Sequence, residues 1–95
     1  ATPRRPPEAD VIIEIDIADG KVMPPPDRVE LNAGDTVRIK VTSGQPDTVH
    51  VHGFDVEAAL GPSAPAVLEF TAHQPGLFDV ETHDSGLLLT QLVVE

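Results

Sequence analysis

Short runs in which apolar and polar residues alternate one by one, each cut off by a turn, constrain this chain more than any other feature. In Val11-Ile12-Ile13-Glu14-Ile15-Asp16-Ile17, the side chains of Ile13, Ile15 and Ile17 share one face while Glu14 and Asp16 take the other. That pattern predicts a half-buried strand. Asp19-Gly20 ends it, and Pro24-Pro25-Pro26 bars a regular ladder from the next stretch because proline has no N–H to donate. A brief strand around Val29 and Leu31 leads to the turn Asn32-Ala33-Gly34-Asp35. Thr36 to Thr42 alternates again, with Val37, Ile39 and Val41 inward and Arg38 and Lys40 outward. After the loop Ser43-Gly44-Gln45-Pro46-Asp47, the stretch from Thr48 to Val56 reads as one strand interrupted by Gly53. Its faces are Val49 and Val51 against His50, His52, Phe54 and Val56. Ala58 to Pro65 reads as a loop, and Val67 to Thr71, Phe78 to Thr82 and Leu88 to Val94 supply the last strands. About seven short strands at a spacing of roughly 8 to 12 residues, with no helix-period segment, predict an all-β sandwich or small barrel.

The chain's 95 residues are enough for one core, assigned to residues 10–95. Residues 1–9, Ala1-Thr2-Pro3-Arg4-Arg5-Pro6-Pro7-Glu8-Ala9, read as a flexible Pro-rich segment, a linker or a stalk below a membrane anchor in a precursor. No apolar run approaches the roughly 18 residues that span a bilayer. The lack of cysteine removes disulfides, a thiol nucleophile, iron–sulfur clusters and thiolate metal ligands together. A net charge of -10 repels nucleic acid and anionic membrane and attracts cations or basic partners.

Little points to catalysis. His83, Asp84 and Ser85 sit side by side on one turn, where they cannot face each other as a hydrolytic relay. Gly34, Gly61, Gly76 and Gly86 are isolated turn glycines and form no phosphate-binding loop. A binding domain is expected, not an enzyme. The histidines are the candidate ligands: His50 and His52 stand one residue apart, so on a strand they point to one side roughly 6–7 Å from each other.

The order of turns and strands resembles that of cupredoxin-like domains. Met23 to Val41 is similar to the family's first half, a proline-marked loop, a strand and an Ala-Gly-Asp turn before the next strand. His52-Gly53-Phe54 resembles the His-x-aromatic element whose histidine is the first copper ligand, and Gln74-Pro75-Gly76-Leu77-Phe78 resembles the Pro-Gly-x-aromatic strand start. Leu92-Val93-Val94 is similar to the closing strand. The resemblance implies a Greek-key β-sandwich of about seven strands with copper at one end, held by two His, a Cys and often a Met. At the Cys position stands Thr82, near the second His position Ser85, and near the Met position Leu88, so a blue copper centre is ruled out.

If the strand carrying His52 and the loop after Thr82 meet at one end, as the resemblance implies, His83 approaches the pair. Asp84, or else Asp47 or Glu81, then adds an oxygen donor. The expected metal site is His50, His52, His83 and Asp84, for copper as Cu(II) ahead of zinc. His73 is left out, because the resemblance places it at the opposite end. In Leu87-Leu88-Leu89 at least one side chain must face out, and one is expected to plug the place of a Met ligand. The resulting expectation is a periplasmic or extracellular, non-blue metal-binding domain, tethered to a membrane in its precursor or free, that holds or hands over the ion. The alternative is a metal-free cupredoxin-like module that binds a protein partner or serves a structural role.

Overall fold

The computed structural model describes residues 9–95, so the flexible segment expected over 1–9 falls, but for Ala9, outside the described residues. Nine strands follow in order: β1 (Val11–Ala18), β2 (Lys21–Met23), β3 (Arg28–Leu31), β4 (Asp35–Ser43), β5 (Asp47–Val51), β6 (Val56–Leu60), β7 (Ala66–Ala72), β8 (Gly76–Thr82) and β9 (Leu88–Val94). They form a four-stranded sheet in the order β2-β1-β4-β7 and a five-stranded sheet in the order β3-β9-β8-β5-β6. β1 runs parallel to β4 and β3 parallel to β9, while every other pair is antiparallel. The all-β sandwich expected from the alternation is therefore present.

The inward residues of the two sheets meet in one apolar layer. Val37, Ile39, Val41 and Leu68 come from the four-stranded sheet, and Val49, Val51, Val80 and Leu92 from the other, each buried. β-Branched side chains dominate because they fit a pleated, half-buried surface with little loss of rotamer freedom. The outer face of the four-stranded sheet is a charged ladder. Arg38 Nε donates to Glu69 Oε1 at 2.9 Å across the β4–β7 pair, with both side chains open to solvent. Arg38→Ala is accordingly expected to change stability by less than about 0.5 kcal/mol, as chemical denaturation would show.

Two strands beyond the expected seven arise where side-chain pattern is weakest. β2 is a three-residue strand closing a hairpin on β1 just before the prolines. β6 overlaps the alanine-rich stretch read as a loop, and backbone pairing with β5 holds it although Ala58 and Ala59 have little strand preference of their own. The single strand expected from Thr48 to Val56 is in fact two. Gly53 (φ 88°) and Asp55 (φ 54°) adopt left-handed backbone and turn the chain over His52–Asp55. Phe54 thereby leaves the face of His50 and joins Phe70 (5.0 Å between ring centroids) and Phe78 (4.5 Å) in an aromatic cluster at that end of the sandwich.

Candidate metal-binding site

β5 lies between β8 and β6, so His50 has an acidic partner on each side: Glu81 directly opposite on β8 and Glu57 opposite on β6. Val49 and Val51 are buried, so His50 takes the outer face of the five-stranded sheet by strand alternation. His52 follows the strand, its N–H donating to Asp79 O at 2.9 Å, and its ring packs edge-on against that of His50 with centroids 4.6 Å apart. His52 Nε2 makes a direct hydrogen bond to Glu81 Oε1, one diagonal step along the β5–β8 pair. The same diagonal, one pair along, leads from His50 to His83, whose N–H donates to Thr48 O at 2.8 Å. His50, His52 and Glu81 thus share one patch of the outer face, with the His52 side chain 51% exposed. Among the described residues, no three His, Asp or Glu side chains stand in the arrangement of a formed metal centre.

The other group of expected residues lies at the opposite end of β5. Thr82 pairs with Val49 and is buried inside the sandwich. Its Oγ1 accepts from Leu87 N–H at 2.9 Å and stands 2.5 Å from Ser85 Oγ. Ser85 Oγ in turn donates to Asp47 Oδ2 at 2.7 Å. Because the Ser85 proton goes to Asp47, the Thr82 hydroxyl must donate to Ser85, so the chain of donors runs from Leu87 through Thr82 and Ser85 to Asp47. Asp47 also accepts from Thr48 N–H and Asp84 N–H on Oδ1, both at 2.8 Å, and from Ser85 N–H on Oδ2 at 3.2 Å. Burial alone pushes the Asp47 carboxyl up. The hydrogen bonds from the Ser85 hydroxyl and the Asp84, Thr48 and Ser85 amides outweigh it and hold the group below the usual 3.8.

The expected convergence of the His52 strand with the loop after Thr82 is therefore not what the sheet delivers. β5 carries Asp47 to that loop, and His52 lies five residues further on, roughly 17 Å away at strand rise. Sequence reasoning gave Asp47 only the part of an optional oxygen donor. The available signal was an acidic residue after Pro46, at the start of a strand and followed by loop partners with free amides. Asp84 lines a groove at this end, away from the histidine face. His73, expected at the end opposite His52, instead stands at the same end as the His52–Asp55 turn, its ring 5.7 Å from that of Phe54. Of the three leucines, Leu88 faces out, Leu89 is buried, and Leu87 packs on the core with its N–H donating to Thr82 Oγ1.

The groove measures about 680 Å³ and is lined by the apolar Ile17, Leu60 and Leu87 and by Asp16, Asp19 and Asp84. Donor chemistry separates the two places as copper sites. At the groove end the side chains are hydroxyls and a carboxylate already committed to one another, with neither thiolate nor imidazole, and a blue copper ion does not fit them. On the sheet face, imidazole and carboxylate are donors that suit Cu(II) or Zn(II).

No protein-family model matches the chain, and no curated protein matches it in sequence. Solved structures match it in fold. Against Fet3p, a multicopper oxidase that functions in iron import, the TM-score is 0.76 at 14% identity over 94% of this chain and 32% of that one. Against a copper-binding protein determined by NMR in its apo form, it is 0.69 at 21% identity over 95% and 93%. Against the periplasmic domain of subunit II of cytochrome oxidase (CoxB) of Bradyrhizobium japonicum, it is 0.69 at 13% identity over 94% and 86%. The chain thus spans about a third of the multicopper oxidase and nearly all of the copper-binding protein. At such identities the likeness is one of fold.

Proposed function

Starting from a cupredoxin-like fold that holds no cysteine, we propose that the domain binds a metal ion, copper ahead of zinc, through histidines on the outer face of its five-stranded sheet. It acts outside the cytoplasm, where it holds the ion or hands it on, and it is a binding domain, not an enzyme. One observation carries the reading: the rings of His50 and His52 lie 4.6 Å apart, with His52 already bonded to Glu81. Two imidazole nitrogens each about 2.0 Å from one ion need be only about 3 Å apart, a gap that side-chain rotation of the exposed His52 closes. His83 approaches along the β5–β8 diagonal as a further imidazole. The open face leaves coordination positions free, which suits transfer to a partner. Two neighbours in fold, a copper-binding protein and a periplasmic domain, support the ion and the compartment respectively.

A second reading has its own support. The end of the sandwich is closed by the Asp47–Ser85–Thr82 network beside a groove that joins apolar side chains to carboxylates. A metal-free module would use that groove for a basic partner segment with an apolar side chain, in keeping with the net charge of -10. Calorimetric titration with Cu(II) and Zn(II) separates the readings. One equivalent of Cu(II) bound, weakened at least tenfold in the His50→Ala/His52→Ala double variant, is the result expected. Heats that are the same in the variant would remove the metal reading and leave the module.

A further inference from the structure

We infer that Glu81 is the oxygen ligand of this histidine site, in the place first given to Asp84, and that it makes the site one for oxidised Cu(II). The inference rests on the metal-binding reading and adds to it a donor and an ion class.

Geometry separates the two carboxylates. Asp84 belongs to the loop that Asp47 holds through the Asp84 and Ser85 amides, and it lines the groove at the end of the sandwich together with Asp16 and Ser43. Glu81 lies within β8, opposite His50 in the β5–β8 register and bonded through Oε1 to His52 Nε2. One carboxylate thus adjoins both members of the histidine pair. The backbone fixes this placement, because Val80 and Thr82 on either side of Glu81 are buried and hold it outward. A β-irregularity falls between Val80 and Glu81 on the β9 side only, and the β5 side, where the histidines stand, keeps regular pairing.

A hydrogen bond between a carboxylate and an imidazole nitrogen places two metal donors on either side of one shared proton. A divalent ion between them would bind the neutral imidazole through Nε2 in the tautomer that carries the ring proton on Nδ1, so the Nε2 proton would pass by way of water to Nδ1, and the ionised carboxylate would be the second ligand. His50, from the adjacent position on the same strand, supplies the third donor. Two imidazoles and a carboxylate are borderline and hard donors that suit Cu(II), whereas Cu(I) selects thiolate and thioether sulfur. The chain's one methionine, Met23, lies on β2 in the other sheet, and there is no cysteine. The carboxylate charge therefore discriminates between the two oxidation states at this site.

Competition titrations with a Cu(II) chelator and, under reducing conditions, a Cu(I) chelator test this on wild type, Glu81→Gln and Asp84→Asn. Both substitutions are isosteric, and each variant's melting curve checks that it folds. The expected result is a Cu(II) affinity at least tenfold weaker in Glu81→Gln, with Cu(I) affinity within twofold of wild type, and no change in either for Asp84→Asn. Electron paramagnetic resonance of the wild-type Cu(II) complex should show nitrogen coupling from imidazole, which Glu81→Gln retains with altered g values. Unchanged Cu(II) affinity in Glu81→Gln, or equal loss of Cu(I) and Cu(II), would overturn the assignment while leaving the histidine site standing. If wild type takes up neither ion, the metal reading itself fails, and this inference with it.

Discussion

Gly53→Ala should lower the melting temperature by about 12–24 °C, the largest single effect expected from a one-atom change in this domain. Gly53 has φ of 88°, and a Cβ built there would lie 2.4 Å from Phe78 Cδ1 and 2.5 Å from Cε1. An alanine would incur about 1–2 kcal/mol for left-handed backbone and about 1–3 kcal/mol for overpacking against the ring. Phe78 cannot swing away freely, since its ring packs against Phe54, with centroids 4.5 Å apart, and Phe54 against Phe70 at 5.0 Å. Taking about 3 kcal/mol in all, and about 4–8 °C per kcal/mol for a domain of this size, gives the range stated. Gly44 is the control: it lies on an exposed loop with no positive φ and nothing within 4 Å of an added Cβ. Gly44→Ala should leave the melting point within about 3 °C of wild type. Differential scanning calorimetry on the two variants decides it. A Gly53 variant as stable as the Gly44 variant would mean that the His52–Asp55 turn has room the packing does not show.

That turn also marks where sequence pattern stopped being informative. Alternation located β1, β4, β7, β8 and β9 because each buries one face, and a period of two then writes the burial into the residue types. β6 escaped because Ala58 and Ala59 carry almost no amphipathic signal, and its strand state comes from pairing with β5, a contact remote from its own composition. The histidine pair was legible as a spacing. Its acidic partner was open to three candidates, because cross-strand register selects Glu81 and register is a property of the sheet, not of the local run. Extending the strand through Gly53 also put Phe54 on the histidine face, where two left-handed residues instead rotate it into the aromatic cluster. Asp47 was the least legible of all. Its role depends on the loop after Thr82 returning to it from 37 residues away, and no local pattern encodes that meeting.

Asp47→Ala is expected to destabilise the domain by about 2 kcal/mol at neutral pH, a fall of about 8–16 °C in melting temperature. The carboxylate collects three backbone N–H groups and the Ser85 hydroxyl, and its loss leaves the 83–86 loop without the anion that shapes it. Hydrogen bonds to a charged acceptor are worth about 1.5–3 kcal/mol each when buried, but Asp84 and Ser85 are exposed, so water recovers much of that sum. Thr82 loses its orientation as well, since its hydroxyl donates to Ser85 only while Ser85 donates to Asp47. The pH dependence follows from the depressed Asp47 carboxyl. A group whose folded value lies below its unfolded one binds its proton more readily in the unfolded chain. Its stabilisation is therefore full above the ordinary value of 3.8 and is lost as pH falls through the lower folded value. The gap between wild type and Asp47→Ala should thus stay constant from pH 7 to about pH 5 and narrow below pH 3.8. Taking the difference between the two proteins cancels the titration of the other fifteen acidic residues, which both share. A gap that persists unchanged to pH 2 would show that Asp47 holds the loop by shape and not by charge. Ser85→Ala then provides the second arm: it removes one of the four donors and should give a smaller loss with the same acid-side narrowing, because the remaining amides still depend on an ionised Asp47.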